Sequence, residues 1–196
     1  MASADIESGK TVTLKLPRTI RLDASDTKLF ERASEPGEWA VTGSFMFWDV
    51  DIANLAAKQR AAFRNGFLGV PSFGFSTLVA IADATQEEYN GTIEALARYL
   101  HETLNAPDLH VAFAVATAET SYASSLCRFE TGTIITMHRS LTNDQLKEEF
   151  RAPRKTTCGV PGADRMHAMT RAFEAVEIDE SPDFVDLGGS PVGRRL

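Results

Sequence analysis

Cysteine is scarce in this 196-residue chain: two thiols, Cys127 and Cys158, are too few for a disulfide framework. Long apolar runs are lacking as well. The longest are broken by Gly, Pro or Asp within about ten residues, short of the roughly eighteen a membrane span needs. The N-terminus, MASADIESGKTVTLKLPRT, has no basic start followed by an apolar block, so no secretory signal is expected and a cytoplasmic location is the default. Positive charge is thin too. At a formal net charge of -7, with no basic five-residue window, the chain is a poor match to phosphate backbones, and a nucleic-acid partner is not expected.

The common catalytic signatures are also missing. There is no GxxxxGK[ST] or GxGxxG loop and no GxSxG elbow. HETLN, His101 to Asn105, lacks the second histidine of the HExxH helix, so His101 reads as a residue near a helix C-terminus. Asp49 and Asp51 in WDVD would share one face of a strand and could hold magnesium, but aspartates near strand ends more often serve turns. No metal and no cofactor are expected.

What is present is the patterning of one ordinary domain, with 43% hydrophobic and 24% charged residues. Residues 1–16 read as a loose N-terminal segment carrying at most a short edge strand at TVTLKL. TIRLDASD and the long run WAVTGSFMFWDV read as antiparallel neighbouring strands. NLAAKQRAAFRNG has a capping Asn54 and a terminating Asn-Gly pair, and predicts a helix. STLVAIADA predicts a central strand. TQEEYNGTIEALARYLHETLNAP predicts a helix with a Thr85/Glu88 capping box and Tyr89, Ile93, Leu96, Leu100 and Leu104 on one side.

LHVAFAVATA reads as a second central strand, which makes Ser76 to Ala116 a strand-helix-strand crossover suited to a parallel pair. ETSYASSLCRF then predicts a short helix, GTIITMHRS a strand and TNDQLKEEFR an amphipathic helix. The expected fold is α/β tending to α+β: one mixed sheet of about five strands with three to four packed helices, over residues 17–152. Residues 153–196 read as an extended C-terminal tail with one short helix at ADRMHAMTRAFEAV.

The candidate functional residues fall in two groups. NGFLGVPSFGFST, Asn65 to Thr77, packs three glycines and three phenylalanines between a helix and a strand. Gly66 fits a left-handed helix terminus and Pro71 with Ser72 a turn, while Gly69, Phe73 and Gly74 could line a cleft. The aromatic run gives Phe45 and Phe47 as a surface for a partner, and Arg60 with Arg64, four apart on a helix, could meet an anion.

The second group is a thiol with a base. Cys127 sits in an apolar setting beside Arg128. Cys158 lies in KTTCGVPG, with Arg154 and Lys155 upstream, and His138 or His167 could serve as the base.

AFRNGFLGVPSFGFSTLVA, EEYNGTIEALARYLHE and TGTIITMHRSLT together resemble an uncharacterised family of short alphaproteobacterial proteins, a domain of unknown function, over Arg18 to Arg151. The resemblance implies bacterial cytoplasmic housekeeping or accessory work and supplies no catalytic residue. The expected function is therefore a non-catalytic accessory protein that binds a partner protein or a small ligand, or forms a homo-oligomer. The alternative is a small cytosolic enzyme with a cysteine nucleophile and a histidine base.

Overall fold

In the computed structural model, residues 14–142, 145–153 and 175–178 are described. Leu14–Ile20 forms β1, which pairs along its whole length with β5, Leu78–Ala84, from Leu14↔Ala84 to Ile20↔Leu78. The end of the supposedly loose N-terminal segment is thus a central strand. Leu16 is buried, and its apolar area explains why the chain commits here.

The helix α1 (Ser25–Leu29) precedes β2, which is only Trp39–Val41. The long strand expected through WAVTGSFMFWDV stops at Gly43, whose φ of +74° is left-handed. The chain then winds into a 3₁₀ turn, Ser44–Phe47. A second 3₁₀ turn, Ile52–Asn54, leads to α2 (Ala57–Asn65), and β3 (Phe67–Val70) and β4 (Phe75–Ser76) follow as a hairpin. β5 leads to α3 (Gln86–Glu102), where Thr85 Oγ1 accepts from the Glu88 amide and Glu88 returns the bond to the Thr85 amide, the capping box expected.

LHVAFAVATA is not a strand. It opens α4, Leu109–Ser125, one helix that also absorbs the first seven residues of the short helix expected at ETSYASSLCRF. Apolar runs of this length fit either structure, and local chemistry decides. Asp108 accepts the Val111 amide as N-cap, and five alanines favour the helix. Burial falls at Ala112, Ala116, Thr120 and Ala123, a helical period.

After β6 (Ile134–Thr142), TNDQLKEEFR forms not a helix but β7, Gln145–Pro153, paired with β6 from Thr142↔Gln145 to Thr136↔Arg151. Its inward residues, Glu148, Phe150 and Ala152, are buried at a period of two. β8 (Ala175–Ile178) pairs with β7 inside the expected tail. It takes the last two residues of the expected ADRMHAMTRAFEAV helix, whose remainder lies outside the described residues.

The fold is α+β: the described residues form four α-helices and a sheet in the order β4-β3-β2-β1-β5-β6-β7-β8. Every strand pair in it is antiparallel, so the parallel crossover and the count of about five strands are corrected. The sheet also curls. Five strand spacings separate β3 from β7, about 24 Å on a flat sheet, yet the rings of Phe67 and Phe150 lie 6.3 Å apart. One face of the curl, with Ala40, Phe67, Val79, Ile81, Ile135, Met137 and Phe150, closes around Leu126 and Cys127 at the end of α4. α3 and α4 pack on each other, with Leu96, Leu100, Ala112 and Ala116 beside Val41 and Leu68.

Candidate functional site

The departure of the chain from β2 builds the clearest concavity. A side chain on Gly43 would meet Leu68 Cβ at 2.7 Å, so glycine both permits the left-handed turn and brings the 3₁₀ segment down onto β3. Phe45 is then buried among the core residues, while Phe47 turns to the other side. The Phe47 ring meets Phe63 edge-on at 5.3 Å and tilts over Phe75 at 6.0 Å, and Phe75 continues to Phe30 at 5.9 Å.

Two of these rings, Phe47 and Phe75, form part of a cleft of about 220 Å³, lined also by Met46, Val50, Leu55 and Ala62, with Glu31, Arg32, Lys58 and Gln59 as its polar residues. It is smaller than the roughly 300–1,000 Å³ of drug-sized sites, which limits it to a compact occupant. Arg32 and Lys58 make no ion pair with any described residue. With Glu31 counted, the polar residues carry a net charge of about +1 on a protein whose overall charge is -7.

Of the glycine loop, Phe75 lines this cleft and Gly69, Phe73 and Gly74 do not. A Cβ on Gly69 would come 2.4 Å from Glu38 Oε2 and 2.7 Å from Ser34 Cβ, and one on Gly74 would come 2.5 Å from the Ala33 backbone. Both glycines therefore let segment 33–38 cross the β3–β4 hairpin, where the Ser34 amide donates to Phe75 O and the Gly69 amide to Gly74 O. Gly66 is not the left-handed terminus expected; its φ is -96°, and what needs glycine is its contact with the Phe75 ring and Ala62 O. Phe73 stacks on Tyr99 at 3.7 Å. Arg60 is exposed and donates to Leu55 O, and Arg64 is exposed on the same helix. Asp51 caps the second 3₁₀ turn through the Ala53 amide.

Behind Phe47 lies a buried polar cluster that the sequence did not suggest. Arg139, on β6, is 0% exposed, and its guanidinium sits 5.8 Å from the ring centroids of both Phe47 and Phe63. Its Nε donates to Glu148 Oε1 at 2.7 Å, and its other nitrogens donate to Phe63 O and Thr42 O, each at 2.8 Å. These bonds tie β6 and β7 across the curl to α2 and to the end of β2.

Thr42 Oγ1 in turn reaches Glu119 Oε2 of α4 at 3.4 Å. Burial, reinforced by the Glu148 carboxylate and only partly offset by Arg139, pushes the Glu119 carboxyl up to about 7. Burial and Glu148 also raise the phenol of Tyr122, one helical turn on. The Tyr122 and Thr120 hydroxyls are buried without a hydrogen bond to any described residue. The signal in the sequence was Arg139 itself, a charge at the inward position of the series Ile135, Met137, Arg139.

The thiol candidates separate. Cys127 faces the core, donates to Ala123 O at 3.6 Å, and burial pushes it up to about 12, the opposite of an activated nucleophile. His138 is exposed on the other face of β6, with its Nδ1 3.4 Å from Asn65 Oδ1, so the fold does not bring it to Cys127. Cys158 and His167 lie outside the described residues. Among those that are described, no helix is long and apolar enough to cross a membrane, and no three His, Cys, Asp or Glu residues are placed to hold a metal ion.

No curated protein and no solved structure matches this chain. A family model does match, over residues 13–170, a span that starts one residue before β1 and runs past the Arg18–Arg151 range of the resemblance. The chain belongs to that family, a family of unknown function (DUF6505).

Proposed function

We propose that this protein is a non-catalytic accessory protein of the cytoplasm, and that it binds a small ligand with an apolar body and an anionic head in the cleft beside Phe47. The observation that carries the reading is the combination of an aromatic and aliphatic lining with two cations, Arg32 and Lys58, that make no ion pair with a described residue. Apolar walls of this kind gain from covering a compact hydrocarbon, at about 25 cal/mol per Å², and the cations select its head group. The core position of Cys127, its raised thiol and the placement of His138 on the opposite face argue against the enzyme reading for that pair.

The test is thermal unfolding of the full chain with hexanoate, benzoate and, as the charge-reversed control, hexylamine. A ligand that binds only the folded state raises Tm in a dose-dependent way. The carboxylates are expected to stabilise the wild type, hexylamine to do so less, and Lys58→Glu to reverse that order. No stabilisation by either carboxylate, or equal stabilisation of wild type and Lys58→Glu, overturns the reading.

A further inference from the structure

The outer face of α4 is unlike a solvated helix surface. Leu109, His110, Phe113, Ala114, Thr117, Ala118, Ser121 and Ser125 are all exposed along it, and not one is an acid, a lysine or an arginine. Leu109 is 49% and Phe113 38% exposed, values that a water-facing helix would normally assign to charged side chains.

Two of the three hydroxyls on this face are already used. Thr117 Oγ1 donates to Phe113 O at 2.7 Å and Ser125 Oγ to Tyr122 O at 2.6 Å, so both turn into their own helix and leave methyl and methylene groups outward. A depression of about 530 Å³ lies among Leu109, His110, Phe113, Ala114 and Thr117.

The stripe is also graded. Its bulky residues, Leu109 and Phe113, are at the N-terminal end, and its small ones, Ala118, Ser121 and Ser125, at the C-terminal end. A second helix of the same sequence, running antiparallel, sets bulky against small at both ends. The same orientation opposes the two helix dipoles and places exposed Asp108, at each N-terminus, near exposed Arg128 of the other copy. A copy aligned in parallel would set bulky against bulky and like charge against like.

From this shape and charge match we infer that the outer face of α4 is a homodimer interface, in which α4 packs antiparallel against α4 of a second copy about a two-fold axis near Thr117. Small residues at the crossing let helices approach to the 8–10 Å typical of packed pairs or closer, and isologous pairing uses the same uncharged stripe on both copies. The interface lies on α4 and is independent of the cleft beside Phe47.

The test is sedimentation velocity of the full chain across the micromolar range, together with cysteine cross-linking. The wild type is expected to sediment as a dimer, and Phe113→Glu and Ala118→Glu, both at exposed positions, as folded monomers. Thr117→Cys in a Cys158→Ser background is expected to form a disulfide-linked dimer on oxidation, because only a residue near the axis lies within the ~7 Å Cα separation a disulfide allows. A monomeric wild type overturns the inference, and α4 amides protected from exchange in that monomer would point instead to another segment of the chain covering the face. A dimer that survives both glutamate substitutions, without cross-linking at Thr117→Cys, overturns it as well.

Discussion

Glu119 shares a buried cluster with Glu148 and Arg139, and the guanidinium is bonded to Glu148, leaving Glu119 the Thr42 hydroxyl at 3.4 Å. Two carboxylates with one guanidinium carry a net negative charge in a poorly solvated site, and a proton on Glu119 removes it. The sign of the consequence follows from linkage. With its carboxyl raised from 4.5 to about 7, the folded protein holds a proton the unfolded chain has lost, so stability falls as pH rises from about 4.5 to about 7 and is level above. Glu119 is half-buried, and water trims the effect to ~1–3 kcal/mol. Glu119→Gln is expected to remove that slope from a urea-denaturation pH series and to be the more stable protein at pH 8. An unchanged slope would show that the proton sits elsewhere. Single-residue chemistry of this kind was hard to read in the sequence, because Glu119, Arg139 and Glu148 are brought together by curvature, not by spacing.

At the scale of elements, the strands and helices with one clear period were legible. α3 carried its own capping box and helical spacing, and β5 and β6 their β-branched runs. The failures share a cause. α4 is apolar on its inner and its outer face, so its pattern carries no period to distinguish helix from buried strand. In β7 the pairs Leu146–Phe150 and Glu148–Ala152 fit helical spacing as well as alternation, and only pairing with β6 settles the choice. The ion pair that β6 and β7 share holds these strands to α2 and β2. Removing one partner strands the other charge: Arg139→Met is expected to cost about 3–5 kcal/mol in chemical denaturation. The double substitution Arg139→Met with Glu148→Met is expected to recover most of that loss. A double variant as unstable as the single would mean that the bonds to Phe63 O and Thr42 O, not charge compensation, dominate the energetics.

For the whole molecule, the curl of the sheet links these levels. It sets β6 and β7 against β3, buries Arg139 behind Phe47 and leaves the cleft on the outer side of that ring. The aromatic residues were visible as a composition bias in FMFW and NGFLGVPSFGFST, but their division was not: Phe45 and Phe67 went to the core, Phe47 and Phe75 to the cleft. Arg32 and Lys58 gave no sequence signal at all, because their nearness depends on α1 and α2 packing side by side. The most direct measurement is an NMR titration of the full-length protein with hexanoate, observing the methyl groups of Met46, Val50, Leu55 and Ala62. Saturable shifts confined to these methyls, with affinity weakened at least about twofold in Lys58→Glu, as ~0.5–1 kcal/mol of exposed charge interaction requires, are predicted. Absent shifts, or shifts spread over the surface and unchanged in the variant, would contradict the account.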